Sequence, residues 1–241
     1  MDHSENSVGM GSLQVNADYQ LEHWLQTLSR DGSRGNSEEL DWQQLIQYAA
    51  YHAINTWYSL PVVSRTFLAL TNIFERKWTN KVGKFSSTAF YHEVKHRVLA
   101  HLYDALMLDG GTEWPLLLFE SMDVWLEELN TGLSLIMQVM VPSEESFVIH
   151  KYVLEDSAAS FDLFTHMTVV FCNKAFGVSP DELQIVNVMS GKRHHIHTKK
   201  HSIESSLDYL RLVKAMYLES RACTCCMKEG LHGTKSDVGV N

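Results

Sequence analysis

Leu133 to Leu154 reads LSLIMQVMVPSEESFVIHKYVL, and this stretch decides the fold. Two apolar runs, Leu133–Val141 and Phe147–Leu154, flank Pro142-Ser143-Glu144-Glu145, so the spacing predicts two strands joined as a hairpin. Just upstream, Trp114–Phe119 is a continuous apolar run bounded by turn residues, the pattern of a buried strand. Downstream the period changes. Ser160–Phe176 places Phe161, Phe164, Met167, Val170 and Phe171 on one side of a helix that Gly177 and Pro180 close. Leu183–Met189 reads as a strand, Ser190-Gly191-Lys192 as a turn, and Ser202–Glu219 as a last helix. Before the strands, Ser87–Leu108 carries Phe90, Val94, Val98, Leu102, Leu106 and Met107 at helical spacing and ends at Asp109-Gly110-Gly111. The order is helix, three strands, helix, strand, helix: an α/β fold with a mixed sheet.

The N-terminal third reads as all helical. Ala17–Leu28 has Leu21, Trp24, Leu25 and Leu28 at helical spacing, and Arg30–Asn36 is a loop with two glycines. Ser37 is placed to cap a helix whose face carries Trp42, Leu45, Ile46, Ala49, Ala53 and Trp57, and Pro61 stops it. Val62–Trp78 resumes helical. The expected organisation is a disordered leader (1–16), a helical region packed on the core (17–84), the α/β core (85–220) and a flexible cysteine-containing tail (221–241).

The chain has 241 residues, 45% hydrophobic and 20% charged, enough for one globular unit with a sizeable core. A net charge of -9 argues against a protein coated with base for nucleic acid and leaves room for a local basic groove. No apolar run reaches the roughly 18 residues of a membrane span. The polar N-terminus has no basic region followed by an apolar stretch, so it does not read as a signal peptide. Four unevenly spaced cysteines without an export signal point to reduced thiols and a cytoplasmic location. No membrane partner is expected.

The element order αβββαβ is that of the PD-(D/E)XK nucleases, and local patterns resemble the RecB-type branch. Leu45-Ile46-Gln47-Tyr48 through Trp57-Tyr58-Ser59-Leu60-Pro61 is similar to the family's opening helix, without the cysteine that follows the tyrosine. His96 sits where the family has a helix histidine. Leu183–Met189 with Ser190-Gly191-Lys192 resembles its late strand and turn, and Cys223, Cys225 and Cys226 resemble its iron-sulfur segment. The resemblance spans about the last two-thirds of the chain.

It implies a metal site that the residues do not supply. Phosphodiester hydrolysis needs hard oxygen ligands for Mg²⁺ beside a lysine. The family takes an acid from the second strand and an acid two residues before the lysine on the third. Here the second strand offers only Gln138, and the third reads Ile149-His150-Lys151. The family's Gln-x-x-x-Tyr positions on the following helix are Met167 and Phe171. Glu120 and Asp123 are the migrated acids that could rescue catalysis with Lys151. Otherwise they are a solvated strand end, Lys151 a surface lysine and His96 a satisfied helix residue.

Three cysteines in the tail are one short of an iron-sulfur site. Zinc on Cys223, Cys226 and His232 is conceivable, and a tail with reducible thiols is the plainer account. Cys172 falls in a helix as a small hydrophobe. Two basic stretches remain: Arg76, Lys77, Lys81 and Lys84, then Lys192, Arg193, His194, His195, His197, Lys199, Lys200 and His201. Converging on a groove they would hold phosphates; singly they are solvated turns. Trp42, Trp57, Trp78, Trp114 and Trp125 are expected in the core. Ser121–Asn130 mixes Met122, Trp125 and Leu129 with Asp123, Glu127 and Glu128, as a short helix with an acidic face or as a lid.

The functional expectation is a catalytically inactive nuclease-like protein that binds DNA or RNA or serves as an accessory subunit, with no resident cofactor. The alternatives are an active Mg²⁺-dependent DNA nuclease with migrated carboxylates, and a protein-interaction module without nucleic-acid binding. The weight is against an enzyme.

Overall fold

The computed structural model describes residues 15–17, 20–22, 24–25, 41–108 and 114–229. It is an α/β protein with helices on both faces of a mixed sheet. The elements are β1 (Val15–Ala17), α1 (Trp42–Ser59), α2 (Phe67–Lys77), α3 (Thr88–Leu108), β2 (Leu117–Leu126), β3 (Thr131–Pro142), β4 (Phe147–Val153), α4 (Ala158–Phe176), β5 (Glu182–Asn187), β6 (Arg193–His197) and α5 (Ile203–Glu229). The αβββαβ succession read from the sequence runs from α3 to β5.

Six strands form the sheet. β2, β3 and β4 make an antiparallel meander, β5 joins β4 in parallel through α4, and β6 returns antiparallel along the outer edge of β5. β3 is paired by β2 along one side. On its other side β1 pairs in parallel at Gly132–Ser134 and β4 antiparallel at Val139–Pro142. Two strands thus share one edge of β3 with a gap between them, and that gap positions the candidate site.

The sheet separates two apolar clusters. Ile46, Trp57, Leu70, Phe74, Val98 and Leu102 of α1–α3 pack with Val139, Val141, Tyr152 and Val186 on one face. Leu163, Phe164, Met167, Phe171, Leu210 and Val213 of α4 and α5 pack with Leu135, Met137, Met140, Ile149, Leu183 and Ile185 on the other. Helices α1 and α2 share the first cluster with the sheet, whereas Leu21, Trp24 and Leu25 from the start of the expected helical region pack on the second. The side-chain alternation slips in β2 and β3 at the same rung. Adjacent Leu118 and Phe119 both pack on the first cluster, Phe119 at φ 51°, and it lies across from Gln138. Val139 faces the first cluster and Met137 the second.

Several expectations are corrected. Val15 and Asn16, assigned to a disordered leader, belong to strand β1. Ser37 lies outside the described residues. The cap of α1 is Asp41, whose carboxylate accepts from Gln44 N at 2.8 Å while Gln44 Oε1 accepts from Asp41 N at 3.0 Å. Val62–Trp78 is not one helix. A 3₁₀ turn at Val62–Ser64 precedes Thr66, which caps α2 through Ala69 N. Arg65 fills the break, donating to Leu60 O and Tyr58 O at 3.2 Å and so satisfying carbonyls at the end of α1. Ser121–Leu126, read as a helix or lid, is strand, because Met122, Val124 and Leu126 recur at period 2 against the second cluster. Only Glu127–Leu129 turns, as one 3₁₀ turn. Residues 193–197 of the second basic stretch form strand β6. Trp114 and Trp125 are exposed rather than core. The last helix extends ten residues beyond Glu219 to Glu229, through the positions of Cys223, Cys225 and Cys226.

Candidate functional site

The chemistry expected of this chain centres on the gap beside β3. Pairing of β3 with β4 runs from Pro142–Phe147 to Val139–His150 and stops. One residue further, the Gln138 side chain replaces the missing ladder. Its Oε1 accepts from Tyr152 N at 2.7 Å, and its Nε2 donates to Tyr51 Oη at 2.8 Å. Tyr51 Oη in turn donates to Tyr152 O at 3.1 Å and accepts from Gln47 Nε2 at 2.7 Å. The amide and phenol of a buried side-chain network thus satisfy a backbone that two diverging strands leave open.

Lys151 leaves β4 on the opposite face, toward α4. It is buried, its ammonium lies 3.9 Å from the centroid of the Phe164 ring, and it forms an ion pair with Glu22. Glu22 belongs to the helical residues 20–22, whose Leu21 packs on the second cluster. A desolvated lysine held by a carboxylate and an aromatic face is a structural cation. The two residues that the resemblance aligns, Gln138 and Lys151, point to opposite faces of the sheet.

The other expected catalytic residues do not converge on it. Glu120 and Asp123 are both exposed on β2. Three residues apart in a strand, they project from opposite faces. β3 lies between β2 and β4, so the Glu120 backbone stands about 10 Å from that of Lys151, and Asp123, which pairs with Ser134, lies about 13 Å further along the strand from the Lys151 rung. Ile149, Met167 and Phe171 are fully buried in the second cluster. His96 is exposed on α3. Among the described residues, no group of three or more His, Cys, Asp and Glu side chains is placed to hold a metal ion. The residues around Lys151 therefore do not fit Mg²⁺. His232 lies outside the described residues.

The basic stretches do not converge either. Arg76 and Lys77 end α2, and Lys81 and Lys84 follow it, leading into the start of α3. The second stretch lies at the other end of that helix, where Arg193 donates to Asp104 O and His101 Nδ1 bonds Val188 O at 3.0 Å. From Thr88 to Asp104 the helix rises about 24 Å. The second stretch is also neutralised locally. Asp156 meets Lys192 at 3.7 Å and His194 at 3.3 Å. Glu182 meets His195 at 2.5 Å and His197 at 3.7 Å. Lys199 meets Glu145 at 2.5 Å and Asp181 at 3.9 Å. Lys200 is exposed, and His201 lies edge-on to His166.

Titration shifts follow these surroundings. Burial raises the Asp156 carboxyl, but hydrogen bonds from Asn187 and His194 and the charges of His194 and Lys192 outweigh it and hold it below its ordinary value. Burial, then the charge of Lys77, lowers His52 beside the first basic stretch. Burial and His201 lower His166 against the opposing pull of Asp162. His166 stacks on Tyr209 at 4.3 Å and bonds Ser206 Oγ at 3.0 Å between α4 and α5. Burial pushes the Cys172 thiol up to about 12, in keeping with a packed hydrophobe.

Two residues were not singled out by sequence reasoning: Glu22 and Tyr51. Glu22 stands next to the apolar stripe of Leu21, Trp24 and Leu25, and an acid at the margin of a buried face was the available signal. No protein-family model and no curated protein matches the chain. Among the described residues no helix is long and apolar enough to cross a membrane.

Proposed function

We propose that this chain is a non-hydrolytic protein on a PD-(D/E)XK-like core, a retired relative of the RecB-type nucleases that serves as a nucleic-acid-binding or accessory subunit. The succession α3, β2, β3, β4, α4, β5 around a mixed sheet supports the core assignment. One observation carries the functional half: the lysine at the catalytic place is buried under Glu22 and Phe164, with no second carboxylate beside it among the described ion pairs. Mg²⁺ belongs only to the alternative of an active nuclease, for which Glu120 and Asp123 would have to leave their strand.

Nucleic-acid contact is assigned to Arg76, Lys77, Lys81 and Lys84, because the β6 bases already face carboxylates. The test is fluorescence anisotropy and gel cleavage with labelled single- and double-stranded DNA, with Mg²⁺, Mn²⁺ or chelator. The reading expects no metal-dependent cleavage and a log–log salt slope of about -3.6 for the duplex, reduced in magnitude by about one for each of Lys77→Ala and Lys81→Ala. Lys192→Ala and Lys199→Ala leave the slope unchanged. Metal-dependent cleavage that vanishes in Lys151→Ala overturns it. The pairing of Lys192, His194, His195, His197 and Lys199 with acids favours a second reading, a protein-interaction module. Absence of DNA affinity at low salt selects that one.

A further inference from the structure

A patch of large apolar side chains is exposed where α1 hands over to α2. Val63 is 91% exposed, Leu68 69%, Trp114 59% and Leu116 55%, and Phe67 and Met107 are about half exposed. Contacts join the three chain segments into one surface. The Phe67 ring lies 5.1 Å from that of Tyr103, one helical turn before Met107. The Arg65 guanidinium lies 5.1 Å from the Trp114 ring centroid and 5.4 Å from that of Tyr58. At roughly 100 Å² for each of the six residues, the patch offers on the order of 600 Å², the upper end of what a monomer exposes.

We propose that this surface joins two copies of the chain about a two-fold axis. Two such patches bury about 1,200 Å² in total, the lower bound of a specific interface. Composition favours a second copy. Residues 58–74 and 114–119 contain a single charged side chain, the buried Arg65, the α3 segment of the patch adds one acid, Asp104, and homodimer interfaces are the apolar class. Each chain carries a net charge of -9, so two copies meet with least repulsion on a face where acids are sparse.

Sedimentation equilibrium of the full chain, from about 1 to 100 µM, tests this. The expected mass climbs with concentration from 27.5 kDa toward twice that value. Leu68→Glu and Val63→Glu each raise the dissociation constant by about 30-fold or more while leaving the circular dichroism spectrum and melting temperature unchanged, since both side chains are mostly exposed. Leu68→Met keeps the dimer. A wild-type chain that stays monomeric over the whole range overturns the proposal, as does a dimer indifferent to both glutamates. Capture of a different protein by a monomeric chain counts against it equally.

Discussion

Replacing Glu22 by glutamine removes the anion from a lysine that is largely shielded from water. The Lys151 side chain is 8% exposed and that of Glu22 20%. Stripping one partner from a fully buried pair costs about 3–5 kcal/mol. Glu22 keeps some solvent, and the Phe164 face still stabilises the ammonium, so the expected loss is about 2–3 kcal/mol. For a chain of this length that lowers the melting temperature by about 5–10 °C. Lys151→Met behaves differently. It removes the buried ammonium, leaves an apolar chain over Phe164 and strands only Glu22, the more exposed partner, so the cost is about 1 kcal/mol. The double variant Glu22→Gln/Lys151→Met should sit near Lys151→Met alone, which makes the coupling strongly non-additive. Urea unfolding of the four proteins measures all three quantities. A Glu22→Gln chain within about 0.5 kcal/mol of wild type refutes the reasoning, because Lys151 would then be solvated and open to other chemistry.

Further outcomes follow from the surroundings described above. Gln138→Leu leaves the buried Tyr152 N–H without its acceptor and should cost about 1–3 kcal/mol in urea unfolding, with Tyr51→Phe costing less. His166 titrates below the ordinary histidine value in the folded chain, so its stabilisation is fully present above about pH 6.5 and falls as the pH drops toward its lowered folded value. The urea midpoint should decline across that window and decline less in His166→Phe. Gly191→Ala should destabilise more than Gly177→Ala. Both glycines have positive φ, at 72° and 75°, but only at Gly191 would a Cβ meet the His101 ring, at 2.9 Å. Thermal melts of the two variants compare them, and equal losses would remove His101 from the account.

Much of the scaffold was legible because its signals are local. The hairpin of β3 and β4, the helix α4 with its glycine stop, and the fully buried Ile149, Met167 and Phe171 follow from apolar runs and punctuation. β2 was truncated at Phe119 because that residue interrupts the strand geometry and the following Glu120 and Asp123 break the apolar run. The helical reading of Met122, Trp125 and Leu129 then hid the alternation of Met122, Val124 and Leu126. β6 was hidden because an edge strand tolerates polar residues on both faces, so Arg193-His194-His195-Ile196-His197 reads as a solvated turn. The ion pair of Glu22 with Lys151 spans 129 residues, and no local pattern encodes a contact at that separation. The same limit applies to the acids opposite the β6 bases. A run of positive charge was visible, and its neutralisation by Glu145, Asp156, Asp181 and Glu182 was not.

The central claim is that the Lys151 region is a packed ion pair rather than a metal centre. Isothermal titration of the full chain with Mn²⁺ at low ionic strength tests it most directly, run alongside Glu22→Gln and Lys151→Ala. The account predicts no saturable heat assignable to this region, so that wild type and both variants give the same weak, unsaturated response. A stoichiometric Mn²⁺ site that disappears on Glu22→Gln would contradict it and place a metal where the structure places a salt bridge.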